Sequence, residues 1–585
     1  MNRSLFSIIL LSFFFELQAQ ENLPNGFGIG EKEKMPLYMQ SFKNNSSTSI
    51  TTPPTSPVRT MAEWEESQAI VITWTSYTAV LRQIVNYAQD ECKVIIICSD
   101  SNQVKTNLTN NSIPIKNIAF LKTSYNTVWG RDYGGNSVYT NEVDSLNIVD
   151  WIYNRPRPYD DASPVAVANY LNVPIYQTTT APYDLVHTGG NYMSDGFGTA
   201  FSSKLILDEN DSDATYSITP KNESMIDSIM KMFMGIKRYI KMETLPYDEI
   251  HHIDMHMKLL NEETLLMGEY PSGVADGPQI EANLQYILSN YNSMFGTAYK
   301  IKRIVMPPDD NGKYPDNNGD YRTYTNSLIV NKTVLVPVYE EKYDTTALRV
   351  YRESMPGYNV VGIDCNDIIT ALGAIHCITH EIGVNDPLLI SHQPLTDSYD
   401  TAASYTVNAY INHRSGIASA TIYYTTDTTK GFQTVNMVLI DSVNHTLAGT
   451  IPATNLSGKI FYYIYALSNS GKEQVRPITA NQGGAWKFNI SGITSIKENE
   501  SVIAERIFPN PANAITCIEI TGKSALNGSI KLLDTMGKEL QVIHTGEISS
   551  GTNHYFIDAS KLASGVYFVK FNYENASKIE KLMVR

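Results

Sequence analysis

A chain of 585 residues is too long for one hydrophobic core and implies three or four domains. With 60 acidic against 45 basic side chains its net charge is −15, which argues against a nucleic-acid partner, since that would need a basic face. Five cysteines in so long a chain do not make a disulfide framework, and no Cys-x-x-Cys spacing suggests a metal site.

The chain opens MNRSLFSIILLSFFFELQAQ: Arg3, an apolar run from Leu5 to Phe15, then small and polar residues around Ala19. This pattern predicts a secretory signal peptide over residues 1–20. Glu16 breaks the run well short of the roughly 20 apolar residues a membrane helix needs. Residues 21–58, ending in NNSSTSITTPPTSP, read as a polar leader or linker rather than core.

From residue 59 the texture is α/β. AIVITW and KVIIICS read as buried strands, TAVLRQIVNYAQD between them as a helix, and NIAFLKTS as a further strand. Cys92 and Cys98 flank one of these strands and cannot bridge while both sit in it. SMIDSIMKMFMGIKRYIKME continues the alternation, and QIEANLQYILSNYNSMFG is a helix before strand-like YKIKRIVMPP.

A weak internal repeat runs through this α/β region. Polar or glycine-flanked entries lead into strand-turn-strand units at GRDYGGNSVYTNEVDSLNIVDW, HTGGNYMSDGFGTAFSSKLIL, HIDMHMKLLNEETLLMGEY and YTNSLIVNKTVLVPVY. GAIHCITHEIG is the fifth candidate. Four or five such units around an axis would gather their polar entries at one end, as in a propeller.

Those entries carry the residues of chemical interest. Cys377 lies in a short apolar, β-leaning run, where a cysteine is ordinarily a small buried hydrophobe and becomes a nucleophile only if other groups activate it. Asp132, in WGRDYG, is either a turn residue or a carboxylate at a site. His252 and Asp254 share a face if the chain there is extended, which suits an imidazole acid/base beside an anionic anchor, although His251 leaves the register open. In an extended run His376 faces away from Cys377 and is structural.

In this order, WGRDYG, HIDMH, TYTNSLIVN and GAIHCITHE, with AEWEES near the start and GGNYMSDGFGT between, resemble the guanidine-modifying enzymes over about residues 60–392. Within them the resemblance is to agmatine deiminase and the secreted bacterial peptidylarginine deiminase. It implies a five-bladed α/β propeller (pentein-like) over 59–392 that needs no cofactor or metal. It also implies hydrolysis of a guanidinium to a ureido group with release of ammonia. Cys377 would be the nucleophile, His252 the general acid/base, Asp132 and Asp254 the carboxylates holding the guanidinium, and Asn326 a positioning residue.

WIYNRPRP, residues 151–158, bears on the substrate. Its prolines stiffen an alternation that keeps Arg155 and Arg157 on one side. On its own RPRP is an exposed basic loop. Here it resembles the peptidylarginine deiminase branch, in which such arginines grip the α-carboxylate of a C-terminal arginine, and Trp129 could pack on the methylene stem. Arginine-containing peptides, preferably ending in arginine, are therefore the expected partners.

After residue 393 apolar and polar residues alternate without a convincing helix, which predicts an immunoglobulin-like β-sandwich to 492. A linker at 493–502 leads to a small β-sandwich at 503–585. There IFPNPA, LLDTMGKEL, ASGVYFVKF and KIEKLMVR resemble the type IX (Por) secretion sorting domain. That resemblance implies the type IX machinery as a partner, and release into the medium or attachment to surface lipopolysaccharide. A carbohydrate-binding module is the alternative for this segment. For the whole chain the alternatives are an agmatine deiminase and a non-catalytic surface module that binds arginine-ended peptides.

Overall fold

The computed structural model describes residues 22–44, 49–212, 216, 218–455, 457–491, 502–535, 537–573 and 576–585. The proposed signal peptide, and nearly all of the 493–502 linker, lie outside these residues.

Residues 58–383 form five small sheets. Four share one plan: an antiparallel hairpin whose second strand pairs in parallel with a strand reached through a crossover. The hairpins and third strands are Asn136–Thr140, Leu146–Tyr153 and Ile175–Thr178; Met193–Ser194, Thr199–Ser203 and Arg238–Met242; Met257–Asn261, Thr264–Glu269 and Lys300–Val305; and Leu328–Val330, Thr333–Val338 and Asn359–Asp364. In the fifth sheet the ends of the region meet. His380–Gly383 pairs antiparallel with Ser67–Thr73, which continues in parallel to Lys93–Cys98 and Ile118–Lys122. The most C-terminal strand thus completes the most N-terminal sheet, fixing Cys377 beside the start of the fold.

Local sequence explains the crossover helices. Thr78–Ala88 buries Val80, Leu81, Ile84, Val85 and Ala88, a one-face helical spacing, against the sheet. Glu223–Met234 begins where the Asn222 side chain accepts the Met225 amide, and it buries Ile226, Ile229, Met230, Phe233 and Met234. The predicted helix near 279–296 is found at Asp276–Asn290.

Each repeat starts with a short turn just before its first strand: Gly130–Tyr133, Gly189–Asn191, Ile253–Met255, the loop carrying Asn326, and His376–Ile378. Most of these turns touch one another, so the polar entries do converge.

Three readings change. Ile253–Met255 and His376–Ile378 are 3-10 turns rather than extended runs, so the alternation used to orient His252 and His376 does not apply. Residues 22–44, expected as leader or linker, are ordered along the α/β unit. Their helix Met35–Asn44 buries Met35, Tyr38 and Met39 against Ile152, Val186 and Tyr216. Each such side chain contributes about 1.5–3 kcal/mol on burial, enough to hold a short helix in place.

Two all-β regions follow. From Leu389 to Ile490, two mainly antiparallel sheets enclose a core that includes Val407, Ile422, Tyr462 and Phe488. The first strand, Leu389–Ser391, starts a few residues before the expected boundary. Lys472 pairs with Glu66 at 2.7 Å, and Arg476 lies 3.4 Å from Glu262, tying this region to the α/β unit. From Val502 to Val584, two further antiparallel sheets enclose Ile518, Ile530, Val569 and Phe571.

Candidate active site

Cys377 is fully buried, and Asn326 holds it from two sides. The asparagine amide donates to Sγ at 3.1 Å, and its oxygen accepts the Cys377 amide at 3.3 Å. Asp254 Oδ2 lies 3.8 Å from Sγ and accepts the His376 Nδ1–H at 2.7 Å. Asp132 Oδ1 accepts the Gly190 amide at 3.1 Å and stands 3.5 Å from His252 Nδ1. A Cβ at Gly190 would come within 2.4 Å of that nitrogen, and one at Gly373 within 2.6 Å of the Trp129 ring and 3.1 Å of Sγ. Both positions therefore need glycine for close approach.

The five expected residues thus come from four entry turns into one buried cluster. Among the described residues, Asp132 Oδ2, Asp254 Oδ1 and both His252 ring nitrogens have no hydrogen-bond partner. Buried acceptors without donors are costly, and a cation with several N–H donors would relieve that cost.

The protonation states follow from burial. It pushes the Cys377 thiol well up, and the negative charges of Asp254 and Asp132 push it further. Burial also raises Asp254, with Asp132 adding to the effect and Arg131 opposing it. Asp132 rises to about 6, with the Thr188 hydroxyl and the Arg155 charge drawing it part of the way back. His252 is held well below its ordinary value by burial and then by Arg155, which keeps it neutral. At rest the cluster therefore holds a thiol and a neutral imidazole.

Sequence reasoning missed the layer behind it. His376 bridges Asp254 and Glu63, with Nε2 3.1 Å from Glu63 Oε2. Glu63 also takes Lys258 Nζ at 2.6 and 2.7 Å and the Ile329 amide at 2.7 Å. Arg131 donates to the His376 carbonyl at 3.3 Å and to Glu381 at 2.6 Å. Glu63 stands in the noted AEWEES run and Arg131 in WGRDYG, but neither run carries a sign of what it faces.

Arg155 and Arg157 are buried, and both act electrostatically on Asp132. They meet the chain's own N-terminal segment. Arg157 forks onto Glu31, Nε to Oε1 at 3.1 Å and Nη2 to Oε2 at 2.8 Å, and Nη2 also donates to the Pro24 and Gly26 carbonyls at 2.9 Å. Arg155 donates to the Asn25 carbonyl at 3.3 Å and lies 4.3 Å from the centre of the Phe27 ring. Trp129, also buried, donates its indole N–H to the Leu23 carbonyl at 3.0 Å.

The family described as Porphyromonas-type peptidyl-arginine deiminase matches residues 59–382, more than half of the chain. The chain belongs to that family. Residues 506–585 match the secretion-system C-terminal sorting domain, so the chain also carries a Por sorting domain. A Mycoplasma mycoides protein provisionally named agmatine deiminase is 23% identical over 296 residues, 46% of this chain and 77% of its own. One from Legionella pneumophila with the same provisional name is 24% identical over 314 residues, 52% of this chain and 85% of its own. A solved structure provisionally titled agmatine deiminase is 19% identical with a TM-score of 0.51, covering 58% of this chain and all of the other. This last likeness shows the pentein-like α/β fold of the deiminases. With family and fold in place, the chain is a member of the guanidino-group deiminase family, with a sorting domain of the kind that directs export through the type IX system.

Proposed function

We propose that the chain hydrolyses the guanidinium of arginine at the C-terminus of peptides, giving citrulline and ammonia through a covalent intermediate on Cys377. The observation that carries this reading is Cys377 Sγ lying 3.8 Å from Asp254, beside two carboxylates that each keep a buried oxygen unpartnered. The guanidinium is always protonated and presents five N–H donors in a fork. Asp132 and Asp254 receive it, offsetting its desolvation and aiming its central carbon at sulfur.

The cation's charge removes the electrostatic penalty on the thiolate, and the thiol proton passes to His252. Sulfur adds to the carbon, the C–N bond to the departing nitrogen breaks, and His252 returns its proton to release ammonia. The neutral imidazole then takes a proton from water, which adds to the thiouronium carbon. The C–S bond breaks, leaving a ureido group and the regenerated thiol. Asn326 holds the sulfur in line. His376, set by Glu63, positions Asp254. Arg155 and Arg157 receive the peptide carboxylate, and Trp129 lines the arginine stem.

Four ββαβ units and a fifth sheet shared by the two ends of the region support a closed five-bladed propeller, and the region 389–490 reads as an immunoglobulin-like spacer. The sorting domain supports delivery to the medium or the cell surface, with lipopolysaccharide as the surface anchor.

Agmatine is the second reading, favoured by the naming of the curated relatives as agmatine deiminases. Two buried arginines beside the site weigh against it, because agmatine has no carboxylate. The test is ureido formation by the full chain at saturating substrate on three compounds: a peptide ending in arginine, its amide, and agmatine, with Cys377→Ala as the blank. Activity confined to the free-carboxylate peptide supports the proposal. A preference for agmatine moves the chain to the second reading, and silence on all three leaves a module that binds without turnover.

A further inference from the structure

We infer that residues 22–31 are the resident occupant of the substrate cleft, a strap whose Glu31 carboxylate takes the place of the substrate carboxylate on Arg157. This rests on the proposed function for the meaning of the site, but the contacts stand apart from it. The strap is held by Trp129, Ala371 and the two arginines. Leu23 accepts from Trp129, and the Asn25 amide donates to the Ala371 carbonyl at 3.0 Å. Glu31 and the Pro24, Asn25 and Gly26 carbonyls accept from Arg155 and Arg157. The Glu31 fork is the two-pronged geometry a peptide α-carboxylate would present.

Two features separate this strap from ordinary surface packing. Asn25 is 1% exposed, yet among the described residues neither atom of its side-chain amide has a partner. A segment selected for stability alone would not bury an unpaired amide, because the hydrogen bonds it gave up to water are not replaced. Further, the strap's best contacts are to the two arginines expected to read substrate, and it is tethered by the buried helix that follows it.

The physics of exchange follows. A buried guanidinium left without an anion is strongly destabilising, so Arg157 does not readily release Glu31 to nothing. A carboxylate-ended peptide replaces Glu31 like for like and keeps the charge paired. An amidated peptide or agmatine does not. The strap therefore makes the full chain latent and passes only ligands with a free carboxylate. The solvent-exposed Lys32 and Lys34, directly after Glu31, are where a trypsin-like cut would release it.

The test compares the full chain with Glu31→Gln and Phe27→Ala, the second variant guarding against a fold defect in the first. Two readouts run together: the rate of Cys377 alkylation by iodoacetamide, which requires access but no catalysis, and ureido formation on an arginine-ended peptide. We expect both variants to alkylate at least about tenfold faster, with kcat/KM rising in parallel. A citrulline-ended peptide with a free carboxylate, but not its amide, should raise hydrogen exchange over residues 22–31. Faster alkylation with no turnover keeps the strap and removes the deiminase reading. Turnover by the full chain, with both rates within twofold of it in both variants, overturns the strap and leaves the deiminase standing.

Discussion

The two ends of the site are opposites in how they manage buried charge. At the acidic end Asp132 and Asp254 each keep an oxygen without a partner, and burial raises both carboxyls. At the basic end Arg157 is paired at every donor position described, by Glu31, two backbone carbonyls and Tyr153. On the proposed function the acidic end receives a cation that arrives from outside, and its stored penalty is relieved on binding. The basic end carries its own counter-ion and must exchange it. Affinity should therefore come from the first, and selection with latency from the second.

Substitutions can break that contrast. Cys377→Ala should abolish ureido formation, a loss of about 10⁴-fold or more, with folding unchanged. Asp254→Asn, which removes a charge from the cation cradle and weakens the acceptor of His376, should lower kcat/KM by about 10²–10³-fold in steady-state assays.

The acidic end should show its stored penalty in stability as well. The Asp132 carboxyl titrates near 6 when folded, above its ordinary 3.8. The folded chain thus holds that proton more tightly than the unfolded chain, and stability falls as pH rises from about 4 to 6. Asp132→Asn should remove its share of this slope, to which the buried Asp160 carboxyl, also raised to about 6, contributes, and raise stability at pH 7 by about 2–3 kcal/mol in urea unfolding.

At the basic end, Arg157→Ala made in a Glu31→Gln chain should cost about 10- to 100-fold in kcat/KM for the arginine-ended peptide and leave agmatine unaffected. Equal losses on both substrates would mean that Arg157 only supports the fold. The smallest effect should come from the layer behind the cluster. His376→Ala should lower kcat about tenfold with little change in KM, and His376→Asn, which keeps a donor for Asp254, should recover part of it.

The sequence by itself determined the family and most of the elements. Apolar periodicity marked strands such as Ser67–Thr73 and the helices at Thr78–Ala88 and Asp276–Asn290, because those signals are local. Motif order singled out Cys377, His252, Asp132, Asp254 and Asn326, which the structure gathers from four turns. Tertiary structure decided what depends on neighbours distant in sequence. His376 was assigned an outward direction from strand alternation, but a 3-10 turn swings it onto Asp254, and its Glu63 partner lies 313 residues away. Residues 22–44 looked like linker because their composition is polar. Only their docking on Arg155, Arg157 and the Ile152, Val186 and Tyr216 surface gives them order, since a salt bridge to a buried arginine leaves no period in the sequence.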